Sequence, residues 1–418
     1  MTATARVHRR LGPAALMGAG LAVVGVAGYA FLALSGHTLG TGDAAAVASL
    51  YLLVNIIGPG VFTALEQETS RAVSAGLAVG ASVAPVRRRA LLAGAGLLAV
   101  VVLVLLAASP VLVAKAFGGR WALFGALVLG SATAAAVYLV RGLLGGRRRF
   151  GGYAATLAVE GFARLLPCVV LALAGTPGAG AFGLLFAAGS AFGVLAGLPA
   201  LRGNPADGDP VPAPAMVRPI AVLVGSTVLS QLVANLAPVV VSGRLTTDTA
   251  TAAAFASAFV LVRVPLLMFA PVQAMLLPTL TSAATRGDLG TVRRALRLIL
   301  TAVAVVGLLG TLLSFVLGPW AVRVLFGAHV TLPSSVLGVL GLGTCVLLVA
   351  QVLQPALVAL GLHRAATLSW LLGSAVLTGL LFLPGDPLDA AVLAQIAGSV
   401  LVVGGMVWAL AGALRKSK

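Results

Sequence analysis

Only 9% of this 418-residue chain is charged, so few side chains can do chemistry, and their positions are informative. Arg263 stands alone in a long apolar run, with Pro265 and Pro271 soon after it. A guanidinium offers forked donors that match phosphate oxygens. Proline breaks a helix and frees a carbonyl nearby. Arg263 therefore reads either as an anion ligand or as a buried cation that binds carbonyls. Glu160 and Arg164 are spaced i,i+4, which puts them on one helical face. They form a self-neutralising pair, or Arg164 is a second phosphate contact that Glu160 releases, or Glu160 carries a proton. Gln231 and Asn235 also share a helical face. Uncharged amides suit sugar hydroxyls, and equally serve to bind helices together. Gln273, Gln351 and Gln354 have the same two readings. Glu66, Glu68 and Arg71 cluster near Arg87–Arg89 and Arg147–Arg149, as a gate or as an interfacial charge cluster.

The elements that carry these groups follow from hydropathy. The chain is 60% hydrophobic with mean hydropathy +1.11, whereas a soluble domain is about 25% charged. Apolar runs of this length are membrane spans. Twelve are predicted, at 13–35, 44–65, 90–114, 121–142, 153–174, 180–200, 218–241, 250–281, 296–317, 332–360, 366–384 and 390–412. Arg263, Glu160, Arg164 and the amides all fall inside spans. Polar groups are costly there and face the bundle interior.

The net charge of +17 is spread by topology. Arg6, Arg9 and Arg10; Arg71 with Arg87–Arg89; Arg141 with Arg147–Arg149; Arg202 with Arg218; Arg286 with Arg293, Arg294 and Arg297; Arg364; and Arg415, Lys416 and Lys418 fall on alternate connections. The other connections hold Lys115, Arg120, Arg244 and Arg323. The positive-inside rule then predicts a multi-pass protein with both termini cytoplasmic, and richness in alanine, arginine and glycine points to a bacterial inner membrane. Anionic inner-leaflet lipids are its expected neighbours, and nucleic acid is not an expected partner. Residues 291–298 read as a short basic amphipathic helix lying on that surface.

Several classes of chemistry lack their residues. There is no GxxxxGK[ST] phosphate loop. Cys168 and Cys345 lie in different spans, and the four histidines, His8, His37, His329 and His363, are in predicted loops or tails. No serine–histidine–acid set is apparent, the acids Asp43, Asp248, Asp386 and Asp389 are scattered over short loops, and neither an enzyme nor a cofactor is expected.

The polar stretch Arg202–Arg218 divides the spans six and six, predicting an N-terminal lobe (1–201), a cytoplasmic linker (202–217) and a C-terminal lobe (218–418). An internal repeat supports the division. AAAVASLYLLV at 44–54 matches AAAFASAFVLV at 252–262 in seven of eleven positions. SGHTLGTGD at 35–43 precedes the first copy and SGRLTTDT at 242–249 the second. The alignment pairs Asn55 with Arg263, each followed by proline (Pro59; Pro265). Six spans per half keep both copies in one orientation, so the lobes are related by a pseudo-two-fold axis along the membrane normal, with a substrate path between them.

This layout resembles the multidrug/oligosaccharidyl-lipid/polysaccharide exporter superfamily, and within it the polysaccharide-biosynthesis flippases. The resemblance covers nearly the whole chain. It rests on the 6+6 arrangement, on the polar end of the second span (Leu65-Glu66-Gln67-Glu68-Thr69-Ser70-Arg71) and on the turns after the fourth and tenth spans (Gly146-Arg147; Gly361-Leu362-His363-Arg364). It implies an all-α polytopic fold. It also implies alternating-access transfer of a polyprenyl-diphosphate-linked oligosaccharide to the outer leaflet, near a polysaccharide polymerase or glycosyltransferase. A site of Arg263, Arg164, Asn55, Gln231, Asn235 and Gln273 is then expected, with Glu160, Glu66, Glu68 and Arg71 in gating or coupling. The alternatives are an ion-coupled exporter of small amphiphiles and a non-transporting scaffold. Twelve spans rather than fourteen disfavour the lipid II flippases, and an uncharged first span disfavours the drug/cation antiporters.

Overall fold

A computed structural model describes residues 13–78, 80, 82–175, 178–202, 216–266, 269, 280, 289–360 and 362–416. These residues are helical, with no strand among them. Twelve stretches are long and apolar enough to cross a membrane. The helices are α1 (Pro13–Thr38), α2 (Thr41–Ile57), α3 (Thr63–Ala78), α4 (Ala84–Val111), α5 (Trp121–Gly146), α6 (Phe150–Leu173), α7 (Ala179–Leu201), α8 (Val217–Arg244), α9 (Thr249–Leu261), α10 (Leu289–Phe326), α11 (Ser334–Ala359), α12 (His363–Leu381) and α13 (Pro387–Lys416). A π-helical turn, Gly58–Phe62, joins α2 to α3.

The same pairings recur in two six-helix lobes. In the first, α1 packs on α6, α4 on α5, and both α5 and α6 on α7. In the second, α8 packs on α12, α10 on α11, and both α11 and α12 on α13. The packing has the polarity lipid requires. Large apolar side chains such as Leu103, Val104, Leu308, Leu312 and Val316 point outward, while Phe and Leu side chains fill the interior and glycines let helices approach closely. Without a hydrophobic drive between helices, close approach through small residues is what holds such bundles together. On α7, Gly193 lets α6 come so near that a Cβ there would lie 3.0 Å from the Thr156 carbonyl.

The lobes meet through α2 with α8 and α9, and through α1 with α10. At the end away from the arginine clusters the contact is tight. Thr41 Oγ1 lies 3.3 Å from Thr249 Oγ1, its repeat partner. A Cβ built on Gly36 of α1 would fall on the carbonyl oxygen of Phe326 at the end of α10. Nearer mid-depth, Thr227 of α8 donates to the carbonyl of Gly60, which the π-helical turn leaves available.

Two expectations about elements need correction. The second span does not stop at Leu65 but runs through the π-helical turn to Leu77, so Glu66, Glu68 and Arg71 are carried within it. Residues 291–298 are no separate surface helix; they are the first turns of the continuous α10. Its apolar run simply extends the same helix, and breaking it there would forfeit backbone hydrogen bonds without gain.

Candidate functional site

A cavity of about 390 Å³ lies between the lobes. Arg263, Arg164, Asn55, Gln231 and Asn235 all line it, with Gln351, Tyr29 and Tyr51. Gln273 lies outside the described residues. Its walls come from α1, α2, α6, α8, α11 and the end of α9.

Arg263 sits where α9 ends. The Arg263 amide bonds the Val260 carbonyl at 3.1 Å, and the Arg263 carbonyl accepts from Leu266 at 3.0 Å. These i,i+3 bonds tighten the chain just before Pro265. The guanidinium lies 4.0 Å from the centroid of Phe259, one turn back, and the residue is 8% exposed. Among the described residues, its Nε and Nη2 have no hydrogen-bond partner. Stacking on an aromatic face occupies the plane of a guanidinium and leaves its N–H edge for a ligand.

Arg164 approaches from the other lobe. It is 4.6 Å from the Phe186 centroid, bonds Ser190 Oγ at 2.8 Å and pairs with Glu160 at 2.6 Å. The i,i+4 pair therefore forms, but it is not self-contained. Arg141 also pairs with Glu160, and bonds Thr156 Oγ1 at 3.0 Å. Ser190 donates to Glu160 at 2.7 Å. Thus the buried Glu160 sits between two arginines, and Arg141 also stacks on Tyr153, whose hydroxyl donates to the second buried carboxylate, Glu66. Arg141 corrects the sequence reading, which placed it with the cytoplasmic arginines. It lies inside α5, 4% exposed, because Glu160 offers it a carboxylate.

The amides are arranged more locally. Asn55 Nδ2 donates to the Tyr51 carbonyl at 2.8 Å. Asn235 Nδ2 donates to Gln231 Oε1 at 3.2 Å, along α8 rather than across helices. Gln354 instead accepts from Trp370 Nε1 at 3.1 Å, joining α11 to α12.

Glu66, Glu68 and Arg71 stand apart from the cavity. Glu68 is buried and binds Arg71 in a forked pair at 2.8 and 2.6 Å, while Glu66 accepts from Tyr153 Oη at 2.6 Å. Arg147 and Arg149 donate to carbonyls at 200–202, tying α5 and α6 to the end of α7. Sequence reasoning missed Arg141, Ser190, Tyr29 and Tyr51. No signal in the sequence singled them out, since Glu160 and Arg164 already balance in charge and the rest depends on contacts distant in sequence.

No family model and no curated protein matches the sequence. Solved structures do share its fold. An inward-facing multidrug resistance MATE family transporter of the MOP superfamily superimposes with TM-score 0.70 at 14% identity, covering 94% of this chain and 95% of that one. A MOP superfamily transporter from Pyrococcus furiosus gives 0.66 at 13% identity, over 97% and 96%. The lipid II flippase MurJ, in an inward closed conformation, gives 0.63 at 13% identity, over 95% and 87%. The chain is thus similar in fold to MOP superfamily transporters, drug exporters and flippases alike.

Proposed function

We propose that this protein is a flippase that carries a polyprenyl-diphosphate-linked oligosaccharide from the cytoplasmic to the outer leaflet, for cell-surface polysaccharide assembly. One observation carries the reading: a buried arginine whose Nε and Nη2 have no partner among the described residues, Arg263, shares a cavity with Arg164 from the opposite lobe. An unpaired buried charge costs several kcal/mol, so the site is built for an anion. Arg263 and Arg164 bring two guanidinium groups to the cavity, a donor set that suits the oxygens of a diphosphate diester. Asn55, Gln231 and Asn235 lie where sugar hydroxyls would meet them, and the prenyl chain stays in the bilayer.

In this reading residues 1–201 and 218–418 are the two moving bodies, joined by 202–217. The basic end is cytoplasmic, and the Thr41–Thr249 contact is a closed outer seal. Arg263 and Arg164 grip the headgroup from opposite lobes, which then rock about it. Polysaccharide polymerases and glycosyltransferases are the expected partners.

The shared fold equally accommodates a second reading, a proton- or sodium-coupled exporter of small amphiphiles. Such an exporter needs a carboxylate free to take the cation. Glu160 is held by Arg141, Arg164 and Ser190, which weighs against it. The test is the leaflet distribution of polyprenyl-linked sugars in cells depleted of the protein. One glycolipid accumulating on the cytoplasmic side supports the flippase and names its substrate. An unchanged pool after confirmed depletion rejects it.

A further inference from the structure

A second recess lies far from the central cavity, on the lipid-facing flank. It is a groove of about 550 Å³ between α4 and α8, with Leu92, Gly96 and Val100 on one wall and Met216 and Ile220 on the other. Arg89 lines its mouth. Arg87 and Arg88, near the start of α4, and Arg218, in the first turn of α8, are exposed. From Arg89 to Val100, α4 rises roughly 16 Å, about half the ~30 Å thickness of the hydrocarbon core. The groove thus has the length of one leaflet, one charged end and one apolar end. Those are the dimensions of a single diacyl lipid, and they are too short for a long prenyl chain.

We propose that this groove binds an anionic phospholipid of the basic-side leaflet, its phosphate on the arginines and one acyl chain between α4 and α8. Polybasic segments at a membrane surface attract anionic headgroups by roughly fivefold in affinity per arginine. Here an apolar slot fixes where the lipid goes. The two walls belong to different lobes, so the bound lipid bridges them. This site is independent of the transport reading.

Gly96 supplies the decisive variant. Nothing lies within 4 Å of a Cβ built there, so a large side chain enters the groove without displacing backbone. The full-length protein in neutral detergent would be offered equimolar dioleoylphosphatidylglycerol and dioleoylphosphatidylcholine, and bound lipid counted by native mass spectrometry. Wild type should retain the anionic lipid in at least roughly fivefold excess. Arg89→Ala should cut that excess several-fold while leaving phosphatidylcholine unchanged. Gly96→Phe should lower retention of both lipids, and Gly96→Ala of neither. Equal retention of the two lipids by wild type overturns the proposal. So does a Gly96→Phe protein of unchanged melting temperature that keeps its phosphatidylglycerol. If Gly96→Phe does not fold, Arg89→Ala with an undiminished preference overturns it alone.

Discussion

At the scale of single residues, Arg263 separates a binding cation from a structural one. A cation that merely braced the lobes would have its N–H groups on carbonyls, yet Nε and Nη2 are unpartnered among the described residues. Arg263→Ala should therefore weaken binding of a short-chain polyprenyl diphosphate by roughly 10–100-fold, the range of one charge-assisted hydrogen-bonding group. Arg263→Lys keeps the charge without the fork and should recover part of that loss. Melting temperature should hold or rise in Arg263→Ala, because a buried charge with no ion-pair partner among the described residues has been removed; a large fall would mark the residue as a brace. Asp248 offers a purely structural contrast. Its carboxylate caps α9 by accepting from the Thr251 amide at 3.1 Å. The Thr251 hydrogen bonds hold its pKa below the usual carboxylate value. A lowered pKa means the cap stabilises above the unfolded-state value and is lost as pH falls through the folded-state value. Asp248→Ala should cost about 1 kcal/mol at neutral pH. The gap between variant and wild type in a thermal melt should begin to narrow below about pH 4 and close only as pH falls further, through the lowered folded-state pKa.

At the scale of elements, what was legible in the sequence is what hydropathy and repetition encode. Spans are long apolar runs, so all twelve could be counted. The repeat aligned Asn55 with Arg263, and both line one cavity. Helix ends and partners were not legible in this way, because they depend on contacts distant in sequence. The second span continues past Leu65 where Glu66 meets Tyr153 and Glu68 meets Arg71. Arg141 stays inside α5 because Glu160 is across from it. No local pattern distinguishes such an arginine from one in the loop six residues later. The contact between α6 and α7 makes the same dependence testable. Gly193 lies against the Thr156 carbonyl and 3.3 Å, as a built Cβ, from Glu160 Cβ. Gly193→Val should push the helices apart and separate Ser190 from Glu160, at about 1–3 kcal/mol for overpacking. A detergent melt should show the loss, and Gly193→Ala should fall between. An undiminished melting temperature for Gly193→Val would mean that this interface is loose and that the Glu160 cluster does not depend on it.

At the scale of the whole molecule, the two-fold repeat makes a prediction that a single-lobed bundle would not. Residues related by such an axis can touch each other only near the axis itself. Thr41 and Thr249 do so, with Oγ1 atoms 3.3 Å apart. Their contact therefore marks where the lobes close at the end away from the arginine clusters. The alternating access proposed above requires that this contact open once per cycle. Cysteines at both positions have side-chain ends near enough for a disulfide, whose Cβ atoms lie about 3.5–4.5 Å apart. The native Cys168 and Cys345 are buried and would be replaced by alanine to leave a clean background. Thr41→Cys with Thr249→Cys should then crosslink on mild oxidation, visible as a mobility shift after cleavage at a protease site engineered into the proposed 202–217 linker. Transport should stop when the bond forms and resume on reduction, while either single cysteine leaves it unaffected. Gly36 sharpens the same point from the opposite direction. Any side chain there collides with Phe326 in the closed arrangement, so Gly36→Val should lower crosslinking of the pair by favouring the open one. Full transport by the oxidised, quantitatively crosslinked protein would exclude rocking of the lobes about this seal, and a bundle that holds its lobes fixed would have to take its place.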